Sequence, residues 1–242
     1  MKKELFPLII PILAIVMAGC SGGGGGTGTT SGIVGFPVSS SSNSLTIQEM
    51  SAVEASLVAS RLLAASEAED LPDCTQASGT DLPPFHKGGH RFHGGRCGDG
   101  WKIRNGSDSC EVKLEHIGSG PARVWIGSHH CTASQSTDGA ITITHADGRT
   151  VTLVPPVAGS ATSSLIVGSS TWTLSWGGEV LVTLKNDADG FTMTIAEDDE
   201  GLLTIRPVGK PPHRAHWMPD GSIEAVSTGD GTTFRFCEGR FK

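Results

Sequence analysis

The densest group of side chains able to hold a metal lies between residues 84 and 97, where the imidazoles of His86, His90 and His93 fall within eight residues. Imidazole suits Zn(II), Cu(II) and Ni(II). Gly88-Gly89 and Gly94-Gly95 disfavour a helix, so the stretch reads as a glycine loop, and such a loop can wrap around an ion. The plainer alternative is a polar loop whose histidines hold nothing, because a His-rich tract is a compositional signal. Lys87, Arg91, Arg96, Lys102 and Arg104 make the same region a basic island in an acidic chain. Two readings stand: a surface for an anionic glycan, a lipid headgroup or a partner, and, ahead of it, a solvated loop.

His129-His130-Cys131 has the composition of a ligand cluster, but neighbours in an extended chain point to opposite faces, so it reads as a strand end. His213 and His216 lie in a Pro-rich connection. Asp187 and Asp189 before Gly190, and Glu197 to Glu200 before Gly201, invite a calcium reading. Neither has the full EF-hand spacing, and acidic hairpin turns explain both. The sequence contains no His-Glu-x-x-His zinc helix and no Gly-x-x-x-x-Gly-Lys phosphate loop. A hydrolase with a site assembled by the fold stays open, with no named residue behind it.

Cys20 aside, the cysteines are Cys74, Cys97, Cys110, Cys131 and Cys237. Outside the cytoplasm disulfides are the default. Two bridges from five cysteines allow fifteen connectivities. The expected one includes Cys97–Cys110, which closes a Gly-rich loop with little means of ordering itself, leaving one cysteine free or paired with another chain. No Cys-x-x-Cys occurs, which removes the usual signature of thioredoxin-like redox chemistry, c-type haem attachment and zinc ribbons.

The elements that must carry these groups are mostly strands. From Glu111 apolar residues recur with period two and turn residues follow every ten or so positions. Ile141 and Ile143 alternate with Thr142 and Thr144, Asp147-Gly148 turns, and Val151 and Leu153 return. Trp172, Leu174 and Trp176, then Val180 and Val182, repeat the pattern. The fold class is therefore mainly β: an antiparallel meander, as a one-sided sheet, a sandwich or an open barrel, preceded by one N-terminal α-helix. That helix spans 45–70. Thr46 and Glu49 form a capping box, Leu45 and Met50 a hydrophobic staple. Met50, Val53, Leu57, Val58, Leu62 and Ala64 gather near one face, with Glu49, Glu54, Arg61 and Glu67 mostly away from it.

The chain opens with Lys2 and Lys3, an apolar run from Leu5 to Met17, and Ala18-Gly19-Cys20, the three-part layout of an export signal. The run is too short, and too interrupted by Pro7 and Pro11, for a membrane span. Met17-Ala18-Gly19-Cys20 resembles the lipobox of bacterial lipoproteins, with Met17 where Leu is usual. The resemblance covers residues 1–20. It implies cleavage before Cys20, acylation of that cysteine and anchoring to a bacterial membrane. In Gram-negative members Ser21, not being Asp, implies the outer membrane.

The expected organisation is a signal peptide over 1–19, a Gly/Ser/Thr-rich tether over 20–44, the amphipathic helix over 45–70, a Cys/His/Gly-rich loop region over 71–110 and the β domain over 111–242. Losing Lys2, Lys3 and Glu4 takes the formal charge from −7 to −8. A net negative chain has no global attraction for nucleic acid. The expectation is a lipid-anchored, non-catalytic cell-envelope module with an envelope protein or glycan as partner and no required cofactor. A transition-metal protein using His86, His90 and His93, and a secreted hydrolase, are the alternatives.

Overall fold

The alternating segments become paired strands in a computed structural model that describes residues 44–67, 71–74, 82–98, 100–105, 109–115, 122–156 and 161–242. The expected signal peptide and lipobox, and nearly all of the expected tether, lie outside the described residues. Among the described residues one helix, α1 (Ile47–Glu67), precedes seventeen strands. The first nine are β1 (Pro84–Lys87), β2 (His90–Cys97), β3 (Gly100–Arg104), β4 (Val112–Glu115), β5 (Ala122–Ile126), β6 (His129–Gln135), β7 (Ile141–Thr144), β8 (Thr150–Val154) and β9 (Thr162–Val167). The remainder are β10 (Ser170–Trp176), β11 (Val182–Asn186), β12 (Thr192–Glu197), β13 (Leu202–Pro207), β14 (His213–Trp217), β15 (Ile223–Ser227), β16 (Thr233–Cys237) and β17 (Arg240–Phe241).

Each strand pairs antiparallel with the next, so the sheet is a meander throughout. It curls into a half-barrel. The curl brings distant turns together: Gly178 N donates to Gly88 O (3.0 Å), and Cys110 N to Trp217 O (2.8 Å). Asn105 Nδ2 likewise donates to Asp198 O (3.1 Å). Alternation sends Met193, Ile195, Leu203, Ile205, Ala215, Trp217, Ile223 and Ala225 inward to full burial, leaving Thr, Arg and Glu outside.

The helix occupies the space this curl encloses. Its capping box forms as expected, with Thr46 N donating to Glu49 Oε2 (2.7 Å) and Glu49 N to Thr46 Oγ1 (3.2 Å). Lys210 joins it, its Nζ 2.7 Å from Glu49 Oε2. The expected polar face is absent: every residue from Ala52 to Leu62 is buried, Glu54 and Arg61 included. A helix ringed by sheet has no solvent side, so Ser56 and Ser60 turn their hydroxyls back to Val53 O and Leu57 O (both 2.8 Å). No helix among the described residues is long and apolar enough to cross a membrane.

Two further expectations need correction. The Gly/His-rich stretch is strand, not loop, because its glycines fit a sheet. Gly88 and Gly89, both at positive φ (60° and 85°), make the tight turn of the β1–β2 hairpin. At Gly94 and Gly95 a Cβ would lie 2.2 Å from Lys102 O and Pro72 O, respectively. The second correction concerns the disulfide: Cys97 bonds Cys74, Cα to Cα 5.2 Å, and not Cys110. It pins the segment before β1 onto β2, where Arg96 N also donates to Pro72 O (2.7 Å). Cys110, Cys131 and Cys237 are buried free thiols.

Candidate functional site

Between the N-terminal half of α1 and the concave wall of β5 to β9 lies a cavity of ≈440 Å³. Val58, Ile126, Ile143, Val151 and Val167 give it an apolar floor. Glu54, His145 and Arg149 line it with ionisable groups, and Ser51 and Ser170 add hydroxyls. A volume in the range of small-molecule sites, mostly apolar with a few polar groups, is the usual form of a ligand pocket.

The charged end is tightly organised. Arg149 Nε donates to Asp147 Oδ2 (2.8 Å), which aims the guanidinium and holds the Asp147 carboxyl below its ordinary range. Arg149 Nη2 is buried and has no hydrogen-bond partner. Glu54 is 7% exposed. Burial pushes its carboxyl up to about 7, against the opposing pull of Arg149 and of the Glu238 N–H, which donates to Glu54 Oε1 (3.3 Å). His145 is held below its usual range, first by burial and then by Arg149.

Beside this end runs a seam of thiols and imidazoles. Cys131 Sγ lies 3.4 Å from His145 Nδ1, and Cys237 Sγ lies 3.6 Å from His129 Nε2. On the other side of the His129 ring, Nδ1 is 3.3 Å from Glu238 Oε1. Thiol, imidazole and carboxylate in that order have the layout of a nucleophile, base and orienting acid. Cys237, however, is 1% exposed and burial pushes its thiol up, the reverse of the activation a nucleophilic cysteine needs. Burial likewise raises Cys131, to about 11, and Cys110.

The strand register scatters the other candidate residues. Phe85 pairs with Phe92 and His86 with Arg91, so His90 shares the inner face of the buried Phe92 while His86 and His93 point outward. The three do not converge on one ion. Arg91, Lys102 and Arg104 fall on the outer face with His86 and His93; Lys87 and Arg96 fall on the other. His130 points away from His129 and Cys131 and packs at a tilt against Trp125, ring centroids 5.3 Å apart. His213 is buried against Phe234 (5.8 Å), whereas His216 is exposed.

The acidic turns behave as turns. Asp189 Oδ1 accepts from Phe191 N (2.9 Å), and Asp198 Oδ1 from Glu200 N and Leu202 N (3.0 and 2.8 Å). Glu197 departs from them and points inward to Arg61. Sequence reasoning missed Arg149 and Glu238 and read Glu54 only as part of a polar helix face, since nothing local marks a charge that faces a cavity. The His129/Cys131 parity was readable; their neighbours, His145 just past β7 and Cys237 on β16, were not. Comparison with protein-family models, with curated proteins and with solved structures finds no match.

Proposed function

We propose that this chain is an exported, lipid-anchored binding module whose cavity receives a small amphiphile with an anionic head. One observation carries the reading: an apolar-floored cavity of ≈440 Å³ is lined at one end by Arg149, whose guanidinium is held in place by Asp147. A ligand carboxylate or phosphate at that end gains a charge-assisted bond to the guanidinium. Val58, Ile143, Val151 and Val167 then cover the apolar body. The lipobox at Cys20 and the Gly-rich tether supply the setting, a module held near a bilayer, where amphiphiles are plentiful.

Titration of the Cys20→Ser chain with decanoate, followed calorimetrically, tests this. One site per chain is expected. Arg149→Gln removes a charge-assisted bond worth about 1.5–3 kcal/mol and weakens binding roughly tenfold to hundredfold. Ser51→Trp fills the cavity and abolishes binding. Equal affinity in all three proteins would overturn the reading.

A second reading, a hydrolase on the same cavity, is favoured by the carboxyl of Glu54 and the imidazole of His145 lining it together. Incubation with a decanoyl ester separates the two. Intact ester recovered in the complex supports the binding module; release of decanoate, abolished by Glu54→Gln, supports the enzyme.

A further inference from the structure

The seam beside the cavity carries a second, independent feature. His129 opens β6, Cys237 ends β16, and Glu238 begins the turn into β17, so the curl of the sheet brings together residues more than a hundred positions apart. One ligand atom from each of the three lies within 4.8 Å of the other two. Thiolate, imidazole and carboxylate are the donor types that divalent zinc accepts.

We propose that His129, Cys237 and Glu238 form a three-ligand site for a borderline divalent cation of the zinc type, with its fourth position open. Zinc–sulfur and zinc–nitrogen bonds of about 2.3 and 2.05 Å at a tetrahedral angle require sulfur and nitrogen ~3.6 Å apart. Cys237 Sγ and His129 Nε2 stand 3.6 Å apart. Glu238 Oε1 rests 3.3 Å from Nδ1 of the same ring, and its side chain, 34% exposed, can rotate to bring an oxygen to the ion. His129 is 33% exposed, so the ion has a path in, while the sulfur is shielded behind it.

The backbone gives separate support. Among the described residues Glu238 is the one non-glycine at positive φ (49°). With Gly239 at φ 74°, it occupies the first central position of a two-residue hairpin turn that favours Asn, Asp or Gly. A glutamate there costs conformational energy, and such outliers gather at ligand sites. Gly239 beside it lies in the same left-handed region, where glycine is favoured.

Co(II) added to the purified Cys20→Ser chain, with the disulfide intact, provides the test. Expected are tetrahedral Co(II) bands with a thiolate charge-transfer band, saturating at one ion per chain and displaced by Zn(II). Cys237→Ser should abolish the charge-transfer band. Glu238→Gln and His129→Ala, at partly exposed positions that the fold tolerates, should weaken affinity at least tenfold with unchanged circular dichroism. His86→Ala/His90→Ala/His93→Ala should leave the spectrum intact. Absence of the band in the parent chain, its persistence in Cys237→Ser, or its loss in the triple histidine variant alone would overturn the proposal.

Discussion

Arg61 on the helix and Glu197 on β12 meet through two hydrogen bonds of 2.6 and 2.7 Å, with both side chains wholly out of solvent. The guanidinium also lies over the rings of Trp217 (5.1 Å) and Phe92 (5.7 Å), so one side chain ties α1 to β2, β12 and β14. A helix buried on all faces has no amphipathic seam to fix its rotation. The ion pair supplies that rotation, since a turn about the axis would strand two charges in the core.

Removing one partner should therefore cost far more than removing both. Arg61→Met alone is expected to destabilise by about 3–5 kcal/mol, while Arg61→Met with Glu197→Leu should recover most of that loss. Urea unfolding of the parent, the two single variants and the double variant checks the cycle. Additive losses would show that the pair contributes no coupling.

Glu54 predicts a pH dependence of defined sign. Its carboxyl rises from an ordinary 4.5 to about 7 on folding. The folded state therefore holds the proton more tightly, and the group's contribution to stability is full below 4.5, falls as pH rises, and is gone above 7. The swing is on the order of 3 kcal/mol. Urea unfolding in EDTA at pH 5 and pH 8 should show this difference in the parent and lose it in Glu54→Gln, with other carboxyls cancelling between the two.

The thiols make a third prediction. Without reductant, native protein carrying Cys20→Ser should resist alkylation at Cys110, Cys131 and Cys237, and denatured protein should take up three equivalents. The Cys74–Cys97 bond closes a loop with a sequence separation of 23. Its reduction should cost about 3 kcal/mol by the chain-entropy argument. Mass mapping that finds Cys97 linked to Cys110 would refute this pairing.

What the sequence discloses and what it hides divide along physical lines. Strand alternation such as Ile141, Ile143 against Thr142, Thr144 is local, so the meander and its hairpins were legible from Glu111 onward. The capping box at Thr46 and Glu49 was legible for the same reason. The His-rich stretch misled because Gly-Gly pairs mark turns and loops in general, while Gly94 and Gly95 serve close approach of Lys102 and Pro72 inside a sheet. Arg61 and Glu197 misled because charge is read as surface until a partner is known, and theirs lies 136 residues away. Glu54, Arg149 and Glu238 come together only when the sheet curls, and no spacing along the chain encodes that curl.

Methyl-resolved NMR of the Cys20→Ser chain titrated with decanoate shows where a bound amphiphile sits. Shifts confined to Ile126, Ile143, Val151, Val167 and Val58, with the exposed Val208 and Val226 unmoved, are the expected result. Shifts centred on Val208 or Val226, or none at saturating decanoate, would contradict a ligand seated between the helix and the sheet.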